Sequence, residues 1–305
     1  ESSQEQIKIG IAQIVEHPSL DEARRGFLDA LNANGYIEGE NLVVDYQNAQ
    51  NDMNTLNTIA NNLKSENPDL ILAIATPTAQ AIANATQGTD IPVLFTAVTD
   101  PVSAGLVQSM EEPGTNLTGT TDMAPVADQI ALIKEINPDV KSVGVLYNTS
   151  EINSAVQLEI AKEAAEKLGL EIVEVGVTST NEVDLAVKSL IGKVQAIYVP
   201  TDNTVVAALE AVINVAEENK IPVISSEKDS VKRGAVATLG LDYYKLGYQT
   251  GEMAIKILKG EATPDKMPVE SQAEQEVILN MKAAEAMGVT LPQELIDRAV
   301  EVIMD

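Results

Sequence analysis

The chain has no cysteine and no tryptophan, only two phenylalanines, and a single histidine. Without thiols there is no disulfide, no thiolate metal site and no cysteine nucleophile. One imidazole, His17, excludes a multi-histidine metal centre. Aromatic residues make up 3% of a chain that is 45% hydrophobic, so its cores must be built from Ala, Val, Ile and Leu. Basic residues are scarce as well: 20 against 46 acidic ones, a formal charge of -26. A polyanion of that size is repelled by phosphate backbones and anionic headgroups, which excludes nucleic acid as a partner. No apolar run reaches the length of a membrane span. The polar lead-in Glu1-Ser2-Ser3-Gln4-Glu5-Gln6 is not a signal peptide, and the expectation is a chain whose targeting segment has been removed. Also missing are a Gly-x-x-x-x-Gly-Lys phosphate loop, a Gly-x-Gly-x-x-Gly after the first strand and a Gly-x-Ser-x-Gly elbow. No enzyme and no cofactor is expected from this inventory.

What the chain does contain is one module twice. Ile9-Gly10-Ile11 opens a strand followed by a helical stretch closing at Gly35, and Val143-Gly144-Val145 opens another whose helix closes at Gly169. Leu70-Ile71-Leu72-Ala73-Ile74 leads into Thr76-Pro77-Thr78, as Ala196-Ile197-Tyr198-Val199 leads into Pro200-Thr201-Asp202. Strand and helix signals alternate throughout, giving an α/β protein of two Rossmann-like lobes, each a parallel sheet flanked by helices. The spacing predicts strands over 7–13, 42–44, 70–74, 92–95, 142–147, 171–175, 195–199, 221–224, 235–239 and 276–279. It predicts helices with apolar faces at Ala23, Phe27, Leu28 and Leu31; at Leu56, Ile59, Ala60 and Leu63; at Val126, Ile130 and Ile133; and at Val156, Ile160, Ala164 and Leu168. Further helices are expected over 182–191, 204–218 and 243–258, two short ones near the end, and one starting at Asp100-Pro101, an N-cap followed by proline.

In open parallel sheets ligands lie beyond the carboxyl ends of the strands, so the loops leaving the strands carry the candidates. Thr76 and Thr78 flank a proline at a helix start, where free N–H groups favour an anion; capping uses the same geometry. Asp202 and Asp242 each follow a strand and precede a helix, where a carboxylate either caps or meets a ligand ammonium. Glu151 is a third carboxylate of this kind, in the loop with Tyr147, Asn148 and Ser150. Thr96, Thr201, Asn203 and Ser225 add polar groups at other strand ends. Phe95, Tyr147 and Tyr198 offer stacking surface or join the core. His17 sits at the lip after the first strand. A carboxylate pair such as Asp202 and Asp242 suffices for a glycosidase, but the sugar platforms such sites use are lacking.

The strings Gln13-Ile14-Val15-Glu16-His17-Pro18, Ala75-Thr76-Pro77-Thr78, Phe95-Thr96-Ala97-Val98-Thr99-Asp100-Pro101, Asn116-Leu117-Thr118-Gly119, Tyr147-Asn148-Thr149-Ser150-Glu151, Val199-Pro200-Thr201-Asp202-Asn203 and Gly240-Leu241-Asp242-Tyr243-Tyr244 together resemble one family. It is that of the ABC transporter solute-binding proteins of the type I periplasmic-binding-protein fold, in the branch for tryptophan, phenylalanine or tyrosine. The resemblance implies two lobes joined by three hinge crossings, 1–122 with 240–269 and 123–239 with 270–305, closing on a ligand between them. It implies an exported protein, a lipoprotein in many members, that hands its ligand to a membrane permease with an ATPase. On this reading Thr76 and Thr78 hold the carboxylate of an L-amino acid, and Asp202, with Asp242 or Glu151, holds its ammonium. A monomer is expected. The rivals are a sugar- or nucleoside-binding protein of the same fold, the sensor half of a transcription regulator, and an enzyme using a carboxylate pair.

Overall fold

The computed structural model describes residues 6–272 and 274–304. The chain divides into two compact units. One runs from the N-terminal residues to Met123 and resumes over Tyr243–Gln272; the other comprises Ala124–Asp242 and the residues after Gln272. The chain therefore passes between units three times.

The first unit begins β1 (Ile7–Gln13), α1 (Pro18–Ala33), β2 (Leu42–Asn48), α2 (Met53–Ser65), β3 (Leu70–Ile74), α3 (Thr76–Thr86), β4 (Val93–Val98) and β5 (Leu117–Thr121). The second unit supplies α4 (Val126–Ile136), β6 (Ser142–Asn148), α5 (Ile152–Lys167), β7 (Glu171–Val177), α6 (Val183–Lys188), β8 (Ala196–Val199), α7 (Asn203–Ala207), α8 (Leu209–Asn219), β9 (Val223–Ser225), α9 (Lys228–Lys232) and β10 (Ala237–Gly240). The first unit then receives α10 (Tyr243–Leu258) and β11 (Glu270–Ser271), and the second ends with β12 (Glu276–Asn280), α11 (Met281–Ala286), α12 (Gln293–Asp297) and β13 (Glu301–Ile303).

The first sheet has the order β11-β5-β4-β3-β1-β2 and is parallel throughout. The second has the order β13-β12-β10-β9-β8-β6-β7, with only β12 antiparallel to its neighbour β10. Sheets covered on both faces need strands that are apolar on both sides. All five residues of β3 and all six of β4 are accordingly buried. The two halves of the sequence repeat occupy equivalent places. Gly10 in β1 leaves room for Leu63 of α2, and Gly144 in β6 leaves room for Leu190 after α6, where added Cβ atoms would come within 3.1 and 2.7 Å.

The tightest packing in the first unit joins α1 to α10, a helix that reaches it only after the whole central part of the second unit. Small residues let the two backbones approach. A Cβ on Gly26 would lie 2.0 Å from the Tyr244 carbonyl oxygen, one on Gly247 1.8 Å from that of Ala23, and one on Gly251 2.5 Å from the Ala30 methyl.

Three expectations are corrected. Asp100-Pro101 starts no helix: the Asp100 carboxylate accepts from the N–H of Val102 and Ser103, and the turn ends at Gly105, whose φ of 74° is left-handed. The expected helix over 204–218 is two, α7 and α8, broken at Ala208. The buried face of α5 is not the one through Val156, Ile160 and Leu168. It runs through Asn153, Ser154, Gln157, Leu158, Ala161, Ala164 and Ala165, and Leu168 is exposed. The helix turns its apolar stripe partly outward because its first turn has polar work inside.

Candidate functional site

At the carboxyl edge of the first sheet the chain leaves β3 through Ala75, whose φ of 80° is strained for a residue with a side chain. Its N–H donates to the Thr96 carbonyl at 3.0 Å, which locks the turn to β4. The kink delivers α3 with Pro77 in its first turn, where a missing N–H costs nothing. Thr76 and Thr78 are both buried. Thr78 is fully buried, yet its Oγ1 has no hydrogen-bond partner among the described residues. A buried hydroxyl left without a partner costs about 1 to 3 kcal/mol.

The remaining candidates of this edge are internal. Thr96 Oγ1 accepts from Thr120 Oγ1 at 3.1 Å, and Phe95 is fully buried in the core. Of the two places open to Phe95, stacking surface or core, it takes the core. His17 is buried at the N-cap position of α1, where its carbonyl accepts from the Asp21 N–H.

The edge of the second sheet holds two buried carboxylates in one network. Asp202 caps α7, accepting from the Val205 N–H at 2.8 Å, and its other oxygen accepts from the Asn148 N–H and from Ser154 Oγ at 2.6 Å. It thereby binds the end of β8 to the end of β6 and to α5. Glu151 accepts from Asn148 Nδ2 and Thr204 Oγ1 on one oxygen, and from Asn153 Nδ2 and Asn203 Nδ2 on the other. Asn153 and Gln157 also donate to the Thr201 carbonyl, at 3.1 and 2.9 Å. Asn148 and Asn203 therefore hold carboxylates, Thr201 Oγ1 donates to Ser226, and Ser225 donates to the Glu227 carbonyl. Tyr147 is half-buried against the core and Ser150 is exposed. Asp242 lies elsewhere, 3.6 Å from Lys228 Nζ, so its cationic partner is the protein's own lysine. Tyr198 is a core residue whose hydroxyl donates to Gln129 Oε1 at 2.6 Å. Ser154, Gln157 and Thr204 escaped the sequence reading, although a signal was present for two of them: Ser154 and Gln157 join Asn153 as polar residues on the inner face of the start of α5, while Thr204 lies on α7.

Burial, and then the neighbouring Asp202 charge, push the Glu151 carboxyl up to about 7. Burial also raises Asp202. The folded state therefore holds a proton on Glu151 that the unfolded chain releases near pH 4.5, so stability falls as pH rises from 4.5 to 7 and levels off above. The expected loss is roughly 3 kcal/mol. Urea midpoints taken across this window check it: Glu151→Gln should flatten the slope whatever it costs in absolute stability.

A family model described as ABC transporter substrate binding protein matches residues 8–303. This chain belongs to that family. A tyrosine-binding protein of Clostridioides difficile is 49% identical over 93% of this chain and 82% of its own. A Streptococcus pneumonia protein solved in complex with L-Trp superposes with a TM-score of 0.93 at 38% identity, covering 98% of this chain and 100% of that one. The ligand-free, open structure of a Clostridium difficile substrate-binding protein gives 0.71 at 49% identity over the same shares. More distant neighbours, at 15% identity, include a Bacillus halodurans solute-binding protein with bound myo-inositol and a Geobacillus stearothermophilus glucose-galactose binding protein; they share the fold. The type I periplasmic-binding-protein fold expected from the sequence is thus the fold of the family.

Proposed function

We propose that this chain is the extracytoplasmic ligand-binding component of an ABC importer, and that its ligand is an L-aromatic amino acid, tyrosine or tryptophan. The 49% identical tyrosine-binding protein and the neighbour holding L-Trp support the ligand class. The observation that carries the mode of binding is the buried, unpartnered Thr78 hydroxyl in the first turn of α3. There the ligand carboxylate accepts from Thr78 and from the free N–H groups of the helix start. The ammonium lies in the field of Asp202 and Glu151. The Asp202 oxygens already accept from Val205, Asn148 and Ser154, so its part is Coulombic rather than a direct hydrogen bond. Asp242, paired with Lys228, takes no part. The loaded monomer delivers the amino acid to a permease with its ATPase.

Titration calorimetry with an amino-acid panel tests this. L-tyrosine or L-tryptophan should bind, and monosaccharides should not. Thr78→Val, which keeps the side-chain shape, should weaken binding about tenfold, the value of one hydrogen bond to a charged group. Unchanged affinity in that variant would remove Thr78 from the site.

A further inference from the structure

Asn153, in the first turn of α5, is buried, and only one prong of its side-chain amide is engaged. Its Nδ2 donates to Glu151 Oε2 at 2.9 Å and to the Thr201 carbonyl at 3.1 Å. A carbonyl can only accept, so the nitrogen must face this way and the orientation of the amide is fixed. The other prong, Oδ1, is buried and has no hydrogen-bond partner among the described residues. Thr78, Ser230 and Thr238 also keep buried hydroxyls without one. A hydroxyl turns to donate or accept, whereas an amide oxygen only accepts, so the group missing beside Asn153 is a donor.

The nitrogen does not account for an asparagine at this place. Both acceptors that it serves have a second donor: Asn203 Nδ2 reaches Glu151 Oε2 at 2.7 Å, and Gln157 Nε2 reaches the Thr201 carbonyl at 2.9 Å. A residue without an amide would leave both served. What such a residue would not supply is the free Oδ1.

The surroundings select a cationic donor. The start of a helix carries about half a positive elementary charge, which opposes a cation. Against it stand Glu151, the residue just before α5, and Asp202, which accepts from Ser154 of the same turn at 2.6 Å. Both oxygens of each carboxyl group already accept from protein donors. A cation drawn to this edge by the two acids therefore finds its hydrogen-bond acceptor in the neutral amide between them.

We propose that Asn153 Oδ1 is the direct acceptor for the ligand ammonium and the residue through which the chain selects ligands with a free α-amino group. The assignment rests on the reading of the chain as an amino-acid-binding protein. Asp202 and Glu151 supply the attraction, and Asn153 supplies the direction of the bond, as a charge-assisted hydrogen bond requires.

Calorimetry with L-tyrosine, its des-amino analogue and L-tyrosinol, which lacks the carboxylate, tests it on the full chain. Asn153→Ala should weaken L-tyrosine and L-tyrosinol about tenfold each, the value of one hydrogen bond to a charged group, and leave the des-amino acid within twofold of its wild-type affinity. The des-amino acid is read by displacement of L-tyrosine where its own heat is small. Equal losses for L-tyrosine and the des-amino acid, as a packing role or a bound water at Oδ1 would give, overturn the assignment, and so does unchanged affinity for all three. If Asn153→Ala does not fold, Asn153→Leu, which fills the volume, carries the same comparison. A wild-type chain that binds neither L-tyrosine nor L-tryptophan overturns the proposed ligand and this assignment with it, whereas tyrosine binding with equal losses overturns the assignment alone.

Discussion

Gly247→Leu should prevent the first unit from folding. A Cβ at this position would lie 1.8 Å from the Ala23 carbonyl oxygen, and the obstacle is the backbone of α1, which has no rotamer to change. One turn further on, Gly251 faces the Ala30 methyl and the Phe27 backbone, so α10 cannot tilt away at one end and keep its packing at the other. Separating the helices would uncover Ala23, Phe27, Ala30, Leu246, Met253 and Ala254, all buried at or near this contact. Against this, replacing a helical glycine gains at most about 1 kcal/mol of propensity. The steric effect wins: overpacking of a side chain costs about 1 to 3 kcal/mol, and more when backbone must move. Gly247→Ala should already lower the first unfolding transition, and Gly247→Leu should abolish it. Circular dichroism melts and proteolysis of the purified chain are the measurements, with Glu252→Ala, exposed on the same helix, as the control that changes little.

The same helix pair shows where the sequence was legible and where it was not. β1, β3 and α10 have the bounds that their patterns predict, because a run of buried apolar residues and a helix ended by Lys259-Gly260 are local signals. The α1–α10 contact is not local, and Gly247 and Gly251 read as ordinary glycines until the partner backbone is in view. β5 escaped notice because Leu117-Thr118-Gly119-Thr120-Thr121 has little apolar content. Its threonines are buried by partners far away, with Thr118 donating to the Met267 carbonyl and Thr120 meeting Thr250 at 2.8 Å. Gly119 is needed there because a Cβ would come within 1.9 Å of the Phe95 carbonyl oxygen. β13, three half-buried residues, carries too short a pattern for any periodicity to show. Among the candidates, strand-end position alone brought Glu151, Asn148, Asp202 and Asn203 onto one list, and the structure joins them in one network. It did not distinguish them from Ser225 or Asp242, whose partners follow from tertiary contacts.

Asp202→Ala should cost the second unit roughly 3 to 5 kcal/mol, a large share of the about 5 to 15 kcal/mol that holds an ordinary domain. Three donors lose their acceptor together. The Val205 N–H loses its cap, typically about 1 kcal/mol. The Asn148 N–H and the Ser154 hydroxyl are left in a buried place, at about 1 to 3 kcal/mol each if no water replaces the carboxylate. One effect opposes them: without the Asp202 charge, the Glu151 carboxyl is no longer raised by its neighbour and ionises more easily at neutral pH. That relief is smaller than the loss, because burial is the larger cause of the Glu151 shift and stays in place. Asp202→Asn separates the two roles of this side chain. Its amide oxygen still caps Val205 and Ser154 turns to accept from its nitrogen, but the Asn148 N–H then faces that nitrogen without an acceptor, so part of the stability loss remains while the charge is gone. In that variant the urea midpoint should stay closer to wild type than in Asp202→Ala, and L-tyrosine should bind about tenfold more weakly. Wild-type affinity in Asp202→Asn would reduce Asp202 to a structural cap and leave the ligand ammonium to Glu151 alone.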